Sequence, residues 1–113
     1  MSDEQLSPRE QLAYPFLETA VRIDTAAQMS GEPERLTQAL ADNVALWLYF
    51  KEVQLPTVPQ VAADTIVMVA QISEFVVRAA RLLEAQADTE LLSRLVSLNL
   101  HMCEILLDAP GDE

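Results

Sequence analysis

One histidine, one cysteine and only two asparagines set the limits of side-chain chemistry in this 113-residue chain. His101 and Glu104 stand three apart, the spacing of one helix face. A carboxylate-bridged metal centre needs such pairs on two helices, with further carboxylates around them. No second histidine exists and Glu-x-x-His never occurs, so a surface pair is the expectation. Cys103 has no second histidine or neighbouring lysine to depress its pKa and reads as a small apolar filler. With only Gly31 and Gly111, a glycine-rich phosphate loop is ruled out. Acidic pairs such as Glu32/Glu34 and Asp88/Glu90 fall at helix starts, where carboxylates favour the positive end of the dipole. The expectation is a protein without catalysis, cofactor or metal.

The asparagines are more telling. Leu36, Leu40, Asn43, Trp47 and Phe50 follow one another by three or four residues, which places an amide inside an apolar helical stripe. Asn99 lies in a second such region. A buried amide without a partner costs about 1–3 kcal/mol. Two readings follow. Each amide is ordinary core polarity, or the two pair and fix helix register, as a buried asparagine does in coiled coils.

Four helices must carry these residues. The first opens at Ser7-Pro8-Arg9-Glu10, where Ser7 as N-cap and Glu10 three residues on form a capping box and Pro8 suits the first turn. Leu12, Phe16, Ala20, Ile23 and Ala27 make its stripe, and Pro15 within it predicts a kink or a restart. The second helix spans about Pro33 to Val53. Gln54 to Pro59, with two prolines, forms a connection. The third and longest runs from about Pro59 to Ala85, with Ala62, Ile66, Val69, Ile72, Val76, Ala80 and Leu83 on one face. Met68, Phe75 and Leu82, seven apart, lie beside it. Asp88 caps the last helix, whose stripe is Leu91, Leu95, Leu98, Met102 and Ile105, flanked by Leu92, Val96, Asn99 and Leu106. The predicted fold is all-α, a four-helix bundle-like single domain over 7–107 with a kinked first helix. Residues 1–6 and the acidic tail 108–113 are expected to be flexible.

Seven basic residues against eighteen acidic ones leave a net charge of −11. Affinity for nucleic acid rests on Lys and Arg neutralising phosphates, so no direct contact with nucleic acid is expected, nor with an anionic membrane. A lone cysteine excludes an intrachain disulfide and fits a reducing compartment. The polar start MSDEQLSPRE is unlike a signal peptide, and no apolar run approaches a membrane span. A cytoplasmic location is the expectation.

Apolar surface is in surplus. Trp47, Leu48, Tyr49, Phe50 and Val53 surround the end of the second helix, and Met68, Phe75 and Leu82 add a strip on the third. Either a bundle core or a homodimer seam absorbs this surface, or a groove accepts an amphipathic helix from a partner. The expected partner-binding residues are Trp47, Tyr49, Phe50, Met68 and Phe75, with Asn43 and Asn99 as the structural motif.

Ala39-Leu40-x-x-Asn43-x-x-Leu46-Trp47, then Leu55-Pro56, and Leu98-Asn99 in the last helix resemble the FlaF family of flagellar biosynthesis regulators. Ser7-Pro8-Arg9-Glu10 also resembles the family's start. Family members often carry arginine where this chain has Leu100, and asparagine where it has Gln54. The resemblance implies a small helical factor needed for flagellin production and secretion, working alongside the antagonistic regulator FlbT. It further implies a chaperone-like protein that binds the amphipathic terminal helices of flagellin. The alternative is an acidic helical dimerisation or adaptor module of another secretion or regulatory assembly.

Overall fold

The computed structural model describes residues 6–29, 31–58 and 61–108. Four α-helices follow one another: α1 (Pro8–Ala27), α2 (Pro33–Tyr49), α3 (Ala63–Ala85) and α4 (Thr89–Asp108). No strand occurs among the described residues, and the chain is an all-α, bundle-like domain. The expected terminal segments lie outside the described residues except for Leu6 and Asp108, the latter closing α4.

Local chemistry starts the helices as their sequences dictate. The Glu10 amide donates to Ser7 Oγ at 3.1 Å and the Ser7 amide to Glu10 Oε1 at 2.8 Å, a complete capping box. Asp88 accepts from the Leu91 amide at 3.1 Å. In contrast, α3 has no side-chain cap. It begins at Ala63 and not near Pro59, which lies outside the described residues, because Ala62 is extended (φ −66°, ψ 145°).

Pro15 does not restart α1, which runs through it as one helix of 20 residues. The proline removes one backbone donor, but Ala13, Phe16, Thr19, Ala20 and Ile23 on either side are all buried and hold the helix against its neighbours.

The end of α2 departs from the α-helix expected through Val53. After Tyr49 the chain widens into a π-helical turn, Phe50–Gln54, and tightens into a 3₁₀ turn, Leu55–Thr57. The Leu55 amide reaches back five residues to the Phe50 carbonyl. On a regular α-helix, residues five apart point about 140° from each other. The wider turn lets both Phe50 and Leu55 face the core, at 0% and 6% exposure.

α1 lies between α4 and α2, packing most extensively on α4, and α2 in turn carries α3. Arg9 near the start of α1 donates to the Leu106 carbonyl near the end of α4 at 3.3 Å, so the two run antiparallel. An Arg22–Asp42 ion pair ties α1 to α2. Its guanidinium, with help from the Gln38 amide at 2.9 Å, holds the Asp42 carboxyl below its ordinary pKa. α3 and α4, although joined by a short loop, scarcely touch. The result is broad and thin, 46 × 37 × 20 Å, with one seam of the bundle left open.

Candidate functional site

Three helices meet at a buried polar cluster. Trp47 Nε1–H of α2 donates to Asn99 Oδ1 of α4 at 2.9 Å. Asn99 Nδ2 donates in turn to Asn43 Oδ1 of α2 at 2.8 Å and to the Phe16 carbonyl of α1 at 3.4 Å. All four residues are 0% exposed. The two asparagines therefore do pair. Phe16 also organises the aromatic core, meeting the rings of Trp47 and Phe50 edge-on at centroid distances of 4.9 and 5.3 Å. Such pairs contribute about 0.5–1.5 kcal/mol beyond the area they bury. Trp47 and Phe50 are thus enclosed in the core and offer no surface to a partner in this structure, contrary to the expectation that they would contact one.

The cluster is incomplete. Asn43 Nδ2 and Ser73 Oγ, both buried, have no hydrogen-bond partner among the described residues. Ser73 sits between Val69 and Val76 on the core face of α3, a position the stripe of Ile72 and Val76 did not indicate. Ile66, expected inside, is half exposed.

A similar rotation affects α4. Its fully buried face consists of Leu92, Leu95, Asn99, Met102, Cys103 and Leu106. Leu91, Leu98 and Ile105, expected at the centre, are only half-buried. Asn99 is the reason: its three hydrogen bonds require it at the helix junction, and this turns Leu98 towards α3. The presence of two asparagines on apolar faces was the signal available in sequence.

The open seam lies where these displaced residues emerge. A groove of about 750 Å³ separates α3 from α4, with Ile72, Phe75 and Leu98 forming its apolar part and Arg94, Ser97 and His101 among its polar lining. Each of the two helices carries an apolar strip at heptad spacing, of which Phe75 and Leu98 line the groove. One is Met68, Phe75 and Leu82 on α3, of which Met68 and Phe75 are half-buried and Leu82 is 62% exposed. The other is Leu91, Leu98 and Ile105 on α4. Phe75 thus stands where a partner in the groove can reach it, whereas Met68 packs against the core and does not line the groove. Tyr49 is exposed too, but it does not line this groove.

His101 Nδ1 and Glu104 Oε1 are 3.9 Å apart, and both side chains are largely exposed. Among the described residues, no group of three or more His, Cys, Asp and Glu side chains is placed to hold a metal ion. Cys103 is buried. Burial, and secondarily the Glu104 carboxylate, push its thiol above the ordinary pKa, which favours the unreactive protonated form. No described helix is long and apolar enough to cross a membrane. Compared with known proteins, the chain matches no family model, and no curated protein or solved structure is significantly similar to it.

Proposed function

We propose that this chain is a flagellin-binding secretion chaperone and regulator of the FlaF kind, which works in the cytoplasm and holds an amphipathic terminal helix of flagellin between α3 and α4. The observation that carries this reading is the open seam itself. Ile72 and Phe75 of one wall face Leu98 of the other, and no helix among the described residues fills the space between them. An amphipathic helix laid into such a groove buries its own apolar face and completes the bundle. Flagellin's terminal segments form helices of that type and must be kept from polymerising before export.

The residues of the FlaF-like motif have a distinct part in this scheme. Asn43, Trp47 and Asn99 build the junction of α1, α2 and α4, so they shape the groove's platform and do not touch the client. The chain's net charge of −11 opposes self-association and steers a partner of complementary charge. Binding and release of a helix requires no catalytic group or cofactor.

Co-expression with a cognate flagellin, intact and lacking its terminal helices, tests the proposal. Intact flagellin should co-purify with the chain and the truncated form should not. Phe75→Glu, which places a charge in the groove, should abolish the complex while leaving the far-ultraviolet circular dichroism unchanged. Absence of a complex with intact flagellin refutes the proposal.

A further inference from the structure

We infer that Arg94 is the specificity-determining residue of the α3/α4 groove, pairing with a carboxylate on the docked helix and so fixing its register. The inference rests on reading the groove as a helix-docking site. Arg94 lines the groove beside Phe75 and Leu98. Arg22, Arg35 and Lys51 have acidic partners in Asp42, Glu32 and Glu52. Arg94 makes no ion pair among the described residues. Glu90, one turn earlier on α4, lines the same groove without engaging it. Arg78 and Arg81 of α3 also make no ion pair among the described residues, but of these three arginines only Arg94 lines the groove, against the apolar wall of Phe75 and Leu98.

Its chemistry describes what it would recognise. A guanidinium presents a rigid fork of donors that meets a carboxylate with defined geometry. Apolar strips at heptad spacing hold a helix firmly, but they repeat, so a helix can slide along them by seven residues. One charge pair removes that degeneracy. Along α4 the groove is lined from Glu90 to His101, about 17 Å at the helical rise. The occupant is therefore an amphipathic helix of roughly three turns, belonging to a different protein, with one Asp or Glu beside its apolar face. A second copy of this chain is a poor occupant, because it brings together two net charges of −11.

Binding of a fluorescent flagellin terminal-helix peptide, measured by anisotropy, tests this assignment. Arg94→Glu should weaken binding about tenfold or more, Arg94→Lys should weaken it less, and Arg81→Glu, on the α2-facing side of α3, should have little effect. Raising salt should weaken the wild-type complex more than the Arg94→Glu complex. Changing one particular Asp or Glu of the peptide to Arg should restore affinity to Arg94→Glu. Equal binding by wild type and Arg94→Glu, or equal losses in Arg94→Glu and Arg81→Glu, overturns the inference and leaves the docking site standing. If the wild-type chain binds neither the peptide nor intact flagellin, the docking reading falls and takes the inference with it. Circular dichroism on each variant confirms that a loss of binding is not a loss of fold.

Discussion

A single amide, Asn99, joins three helices, and its substitution should reveal how unequal the polar core positions are. Asn99→Leu orphans Trp47 Nε1 and Asn43 Oδ1 together, in a site where each unpaired group costs about 1–3 kcal/mol. Destabilisation of about 3 kcal/mol is expected in urea denaturation. Asn43→Leu removes one acceptor but also removes an amide nitrogen that has no partner, so its cost should be about 1 kcal/mol. Ser73→Ala removes a buried hydroxyl without a partner and should leave stability unchanged or raise it. The double Asn43→Leu/Asn99→Leu variant should fall well short of the sum of the singles. Should Asn99→Leu prove as mild as Ser73→Ala, the hydrogen-bonded junction contributes nothing. That Asn43 and Asn99 pair was legible, since they are the chain's only asparagines and both fall on apolar faces. That Trp47 joins them was not. The indole's partner depends on the rotation of α4, and a one-residue difference in helix phase separates Leu98 from Asn99 at the centre.

Elements whose boundaries rest on local chemistry are read from sequence with little loss. Ser7, Glu10 and Asp88 cap α1 and α4 through bonds spanning three residues, and no tertiary contact is needed to specify them. The end of α2 is a different case. The wide turn at Phe50–Gln54 exists because Phe50 and Leu55 both fill the core, a packing result that no local propensity announces. The restart considered at Pro15 likewise assumed a helix free to break, whereas α1 is held between α2 and α4 and runs on through the proline. One inter-element tie carries a pH signature. Arg22 lowers the Asp42 pKa in the folded state, so this contribution to stability is present above the unfolded carboxylate value of about 3.9. It is lost as pH falls through the lower folded value. Asp42→Asn should therefore reduce stability at neutral pH by a small amount, the side chains being partly exposed. Wild type and variant should converge in denaturation curves taken well into acid. A constant difference across pH would show that the ion pair is not responsible.

At the scale of the whole molecule the helices are not equally held. The radius of gyration of 14.7 Å exceeds the roughly 13 Å typical of a compact domain of this length. This fits a bundle open on one side. α3 rests on α2 and the π-helical turn but scarcely on α4, and its uncapped start weakens it further. Amide hydrogen exchange should accordingly be faster in α3 than in the middle of α1 and α4. On adding a helix that fills the groove, protection should rise in α3 first. Uniform protection across all four helices would contradict this order. Four helices and their chain order were evident from periodicity and prolines. The open seam was not, because residues half-buried beside a groove have the same spacing as residues sealed in a core.

The wide turn after α2 bears on how the gene can change length. Val58 and Ala62 are extended on the far side of it, so a rotation introduced within Phe50–Gln54 is not transmitted along a continuous helix into α3. Loss of one codon there would let the turn rewind towards α geometry. The damage would be confined to Leu55, whose buried side chain accounts for about 1.5–3 kcal/mol. The same deletion in the middle of α1, α2 or α4 would turn half a helix out of register and separate Phe16, Asn43 or Asn99 from the others. Among the segments that build the core, this turn is where insertions and deletions can accumulate without dismantling the junction.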